Sequence, residues 1–125
     1  MDPQISLFIV DDEPDVRMLI SLVVRTANHG LVVSGEADSG DAALAGSEMA
    51  GADVVILDQM MPGLSGIETA VRLRAEHPRI RTILCSAHLT DEVRALAAGA
   101  GIDLCLSKAQ ISRIPDEVRR LASAA

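Results

Sequence analysis

The sequence predicts an α/β domain of the doubly wound, three-layer kind. Five short apolar runs alternate with helical patterns, and most of the runs are apolar throughout instead of alternating with polar residues. Continuous apolarity is what strands need when helices cover both faces of a parallel sheet. The 125-residue length suits one domain over 1–125, with a real core but no room for a separate effector module beside it.

The strands are read at Ile5 to Val10, Leu31 to Ser34, Asp53 to Leu57, Thr82 to Ser86 and Ile102 to Leu106. Pro14 suits the first turn of a helix, and Val16, Leu19, Ile20, Val23 and Ala27 recur at helical spacing until Asn28, His29 and Gly30 end it. The segment from Asp38 to Ala50 is expected to be helical on a thin stripe of Ala42, Ala45 and Met49, diluted by Gly40 and Gly46. Ser65 with Glu68 has the spacing of a capping box, after which Ile67, Ala70 and Val71 start a stripe that stops before His77 and Pro78. Thr90 is placed to cap a fourth helix with Val93, Leu96, Ala97 and Ala100 on one face, closed by Gly99 and Gly101. Ile111, Ile114, Val118 and Leu121 mark the fifth. Right-handed crossovers between parallel strands then favour a doubly wound sandwich of five strands flanked by five helices, and the order 2-1-3-4-5 is the one expected among those open to it.

Composition narrows the function. The net charge of -7, with no cluster of Lys and Arg, argues against direct nucleic-acid binding, since phosphate contacts need such clusters. No apolar run approaches the ~20 residues that cross a bilayer, so no membrane partner is expected and a cytoplasmic location is. Cys85 and Cys105 lie inside apolar runs, TILCS and IDLCL, and read as small buried hydrophobes. Phe8 is the sole aromatic residue, so Val, Ile, Leu, Ala and Met must build the core.

Chemistry-bearing residues gather where the strands end. Asp11 and Asp12 follow the first run, Asp58 the third, Ser86 ends the fourth, and Lys108 stands two residues past the fifth. In doubly wound sheets ligands bind at this edge, near the point where strand order reverses. Taken singly, each residue has a plain structural reading as a helix cap, a turn residue or a solvated amine. Together, three carboxylates at one edge would repel unless a cation offsets them. Mg2+, which takes oxygen ligands and shares its shell with phosphate, fits a cluster without His or Cys; a carboxylate there could take up a phosphoryl group, with Lys108 and Ser86 contacting its oxygens.

FIVDDEPDVRMLI, DQMMPGLSGIE, ILCSAH and LSKA, in this order and at these separations, resemble the receiver domains of two-component response regulators from Ile5 to about Leu121. The resemblance implies a flavodoxin-like fold and a signalling switch, not an enzyme with turnover. It implies Mg2+-dependent phosphoryl transfer to Asp58 from a histidine kinase, a phosphotransfer protein or a small phosphodonor. Asp12, Asp58 and the backbone carbonyl of Met60 would bind Mg2+ directly, Asp11 through water, and Ser86 and Lys108 would hold the phosphoryl group. The effector surface would comprise the fourth helix, fifth strand and fifth helix; homodimerisation is left open.

Several positions depart from the family pattern. Cys105 stands where an aromatic residue commonly swings inward, and Ala109 where Pro commonly follows the lysine with a cis bond, which Ala disfavours. Met60 and His88 occupy positions where the family tunes water access. Loss of the aromatic and of the proline keeps an alternative in view, a receiver-like module that binds partners without phosphorylation. An aspartyl phosphatase is disfavoured because Met60 stands where its second acid would be, and a flavin carrier because DDEPD would repel a cofactor phosphate.

Overall fold

The computed structural model describes residues 4–27 and 30–123. It contains β1 (Ile5–Val10), β2 (Leu31–Ala37), β3 (Val54–Leu57), β4 (Arg81–Ser86) and β5 (Leu104–Ser107). These pair in parallel in the order 2-1-3-4-5, as the sequence predicts. The helices are α1 (Pro14–Ala27), α2 (Gly40–Ala45), α3 (Gly66–Glu76), α4 (Asp91–Gly99) and α5 (Ile114–Ser123), with 3-10 turns at Glu48–Gly51 and Lys108–Arg113.

Alternate residues of each strand feed two separate cores, because successive side chains point to opposite sheet faces. Leu7, Ile9, Val54, Ile56, Ile83 and Leu106 pack against Ile20 and Val24 of α1 and Ile114, Val118 and Leu121 of α5. Phe8, Val10, Val55, Leu57 and Leu84 meet Ala43 of α2, Ala70 and Leu73 of α3 and Ala97 of α4. All four residues of β3 are buried. Edge strand β2 instead alternates between covered and exposed positions and runs on to Ala37.

Local chemistry places the helix starts. Ser65 and Glu68 form the capping box read from their spacing, and the Thr90 side chain accepts from the Val93 N–H. Ser39 caps α2 in the same way. Gly30 and Gly101 adopt positive φ, the left-handed conformation that closes helices and turns. Of the helix stop read at Asn28, His29 and Gly30, the first two lie outside the described residues.

Four expectations need correction. Asp38 to Ala50 is not one helix: α2 ends at Ala45 before Gly46, which is extended (φ -84°, ψ 157°), and a 3-10 turn follows, so Ala43 goes inward instead of Ala42 and Ala45, while Met49 is buried as expected. In α1, Leu19 is exposed and Val24 takes the inward place, four residues after Ile20. Val71 and Leu96 face outward, while Thr69, Leu73 and Ala97 carry the contacts of α3 and α4. Strand β5 begins at Leu104, not Ile102: Asp103 donates its N–H to the Thr82 carbonyl and accepts the Thr82 N–H on its carboxylate, turning the chain before the ladder begins. Among the described residues no helix is long and apolar enough to cross a membrane.

Candidate functional site

Parallel strands ending in register bring the carboxyl ends of β1 and β3 side by side. The Asp58 N–H donates to the Val10 carbonyl (2.9 Å), and the Asp11 N–H to that of Ala37 (3.1 Å). Each aspartate thus sits one residue beyond its strand. One carboxylate oxygen from each of Asp11, Asp12, Glu13 and Asp58 lies within 4.8 Å of the other three.

Lys108, the first residue after β5, reaches into this cluster. Its Nζ lies 3.1 Å from Glu13 Oε1, 3.3 Å from Asp11 Oδ2 and 3.4 Å from Asp58 Oδ2. Asp11 and Asp58 are only 2% and 3% exposed, so their charges are poorly hydrated. Burial raises the Asp58 carboxyl above the ordinary aspartate range, and the Asp11 charge raises it further against the pull of Lys108. Asp11 is raised by burial too, although the Glu13 N–H (2.8 Å to Oδ1) and Lys108 oppose this. Partial burial pulls the Lys108 ammonium down, but Glu13, Asp58 and Asp11 outweigh it, so the amine is held above the ordinary lysine value and stays charged.

Lys108 pairs with three of the four carboxylates, which leaves net negative charge at the cluster. Every donor is a hard oxygen and, among the described residues, no His or Cys ligand joins the group, a set suited to Mg2+ and not to zinc. Ser86, 1% exposed, ends β4 at the same sheet edge, and its Oγ accepts from the His88 N–H (3.3 Å). Met60 stands two residues beyond Asp58 with an exposed side chain.

The loop after Asp58 is closed by Gln59, whose carbonyl accepts from the Gly66 N–H (3.1 Å) and whose side-chain oxygen accepts from the Ile67 N–H (2.9 Å). Gly63 supports the turn at φ +79°. Gly66 is required by contact: a Cβ there would fall on the Asp58 carbonyl oxygen. Glu13 and Gln59 were not singled out by sequence reasoning. The third acid of the DDE run was the available signal for Glu13; nothing local marked Gln59.

Cys85 and Cys105 differ in setting. Cys85 pairs with Leu106 and belongs to the α1/α5 core, whereas Cys105 pairs with Leu84 and packs toward α4. Burial pushes the Cys85 thiol up to about 11. No cis peptide occurs among the described residues, so the Lys108–Ala109 bond is trans. A cavity of about 850 Å³ opens near Asp53, His77 and Arg81, where β3 and β4 begin, and is remote from the carboxylates at the strands' other ends.

The response regulator receiver domain model matches residues 7–119. The transcriptional activator protein ExaE of Pseudomonas putida is 35% identical over 116 residues, covering 92% of this chain and 54% of ExaE. The response regulator protein VraR of Staphylococcus aureus is 28% identical over 117 residues, covering 93% of this chain and 56% of VraR. The chain thus spans about half the length of these curated relatives. Among solved structures, the signal receiver domain of NarL from Mycobacterium tuberculosis superposes with a TM-score of 0.89 at 28% identity, covering 99% of this chain and all of that one.

Proposed function

Because this chain belongs to the response regulator receiver domain family, we propose that residues 1–125 work as one phosphoacceptor switch with Asp58 as the accepting residue. The observation that carries this reading is the buried Asp58 carboxylate held beside Asp11 and 3.4 Å from the Lys108 ammonium. Structural carboxylates are rarely buried among other acids, since the cost of their charge must be met by something that binds there.

An Asp58 oxygen attacks the phosphorus of a phosphohistidine or an acyl phosphate. A new P–O bond forms as the bond to the imidazole nitrogen or the acyl oxygen breaks, and the leaving group carries away that electron pair. Asp12, Asp58 and the Met60 carbonyl would hold Mg2+, with Asp11 acting through water; when bound, the ion offsets the clustered charge and draws on a phosphoryl oxygen. Lys108 supplies a fixed positive charge to a second oxygen, and the Ser86 hydroxyl donates a hydrogen bond to a third.

The partners are a histidine kinase or phosphotransfer protein upstream and an effector downstream, read through α4, β5 and α5. ExaE is by name a transcriptional activator, and transcription is the output favoured here, with nucleic acid contacted by an effector and not by this acidic chain. The switch works in the cytoplasm. Cys105 lacks a ring to swing, so the added charge is relayed through the loop after Ser86.

The test is intact mass after incubation with acetyl phosphate, with and without Mg2+, for wild type and Asp58→Asn. One phosphoryl adduct requiring both Mg2+ and Asp58 is expected. An equal adduct on Asp58→Asn would show that another residue is the nucleophile.

A further inference from the structure

The peptide joining Asp11 to Asp12 sets the direction of two of the clustered carboxylates, and it lies where the sheet gives way to α1. Its N-terminal side is tied into the ladder by the Asp11 N–H on Ala37. The Asp11 carbonyl is held differently. Arg17, one turn into α1, folds back so that its Nη1 donates to that oxygen at 2.6 Å. The Nε of the same guanidinium donates to Glu36 Oε1 at 2.9 Å, near the end of β2.

We propose that Arg17 is a positioning residue for the metal-binding carboxylates, clamping the Asp11–Asp12 peptide against β2 through Glu36. The inference rests on the receiver reading above and extends it to residues outside the acidic cluster. A guanidinium is suited to the task because its planar fork meets two acceptors at a fixed angle, whereas a lysine ammonium is a point charge on a flexible stem. The 2.6 Å bond is short even for a charge-assisted one, and the Arg17 side chain is mostly covered (16% exposed), so the fork is held from both sides. Without it the Asp11–Asp12 peptide is free to rotate, and the carboxylates lose their common focus.

Charge and geometry predict opposite signs here, which makes the clamp testable. Arg17 carries a positive charge beside a cation site, so on Coulomb grounds alone its removal should tighten Mg2+ binding. Loss of a clamp should weaken it, by about tenfold or more on the pattern of groups that orient metal ligands. Arg17→Met keeps the apolar stem and removes the fork; Arg17→Lys keeps the charge and removes the fork.

Mg2+ affinity of the full chain would be measured by calorimetry for wild type and both variants. Amide spectra of the metal-free proteins would report whether the Asp12 and Glu13 peptides have shifted. Weaker binding in both variants, with those amides displaced and melting temperatures near wild type, is expected. Unchanged or tighter binding in a folded Arg17→Met overturns the clamp; should that variant fail to fold, unchanged binding in Arg17→Lys does the same. Wild type that binds no Mg2+ overturns the receiver reading and the clamp with it.

Discussion

The Lys108 ammonium stands 3.4 Å from the Asp58 carboxylate although fifty residues separate them in the chain. The contact exists because β5 and β3 end at the same edge of the sheet on either side of β4. It offsets part of the cost of burying the Asp58 charge, and Asp11 and Glu13 compete for the same amine.

Replacing Lys108 by Ala therefore leaves two nearly buried carboxylates without their cation. Breaking a fully buried pair costs about 3–5 kcal/mol; the partial exposure of Lys108 reduces that to about 1–3 kcal/mol. Metal-free Lys108→Ala should melt several degrees below wild type, and Mg2+ should raise its melting temperature more than that of wild type, because the ion then meets a larger charge deficit. Equal Mg2+ shifts in the two proteins would show that Lys108 is not offsetting this cluster.

Asp58→Asn should do the reverse in metal-free protein, and its effect should depend on pH. A carboxyl whose folded pKa lies above its unfolded value near 3.8 costs nothing below that value, and costs stability increasingly as pH rises through the folded pKa. The advantage of Asp58→Asn over wild type should thus be small near pH ~4 and grow toward neutrality. Melts in a chelator across that range decide it; an advantage that grows as pH falls would contradict the raised pKa.

Much of the fold was legible because the strands of a covered parallel sheet are apolar runs and several helix starts have a local chemical marker. Ser65, Glu68 and Thr90 act within three residues of themselves, so sequence reports them directly. What failed was tertiary. Nothing near Leu19 or Val71 says that the helix rolls them outward, and Asp103 delays β5 through a partner twenty-one residues away. At the candidate site the strand-end positions of Asp11, Asp58 and Lys108 were readable, whereas Glu13 and Gln59 act through contacts that only the folded chain creates.

Two glycines offer a paired test of the close approach at Asp58. Gly66→Ala places a Cβ on the Asp58 carbonyl oxygen and against Leu84, and overpacking of this kind costs about 1–3 kcal/mol. Gly99, in the last turn of α4, has open space where a Cβ would go, so Gly99→Ala should stabilise by roughly 0.5–1 kcal/mol through helix propensity. Urea denaturation of both should give shifts of opposite sign. Gly66→Ala of wild-type stability would mean that α3 can move away from Asp58 at no cost.

The two thiols should prove chemically unequal and unable to pair. Cys85 is 1% exposed with its thiol pushed up to about 11, so almost none of it is thiolate at neutral pH. Cys105 is also raised by burial, though the Arg94 charge opposes it, and it is only partly covered. Because Cys85 and Cys105 belong to opposite faces of the sheet, oxidation cannot join them without breaking the β4–β5 ladder. Alkylation of the native protein followed by peptide mass mapping should label Cys105 first, by about tenfold or more given the thiolate's control of rate, with Cys85 protected until unfolding. An intramolecular disulfide formed by the native chain would mean that this edge of the sheet opens far more readily than its packing implies.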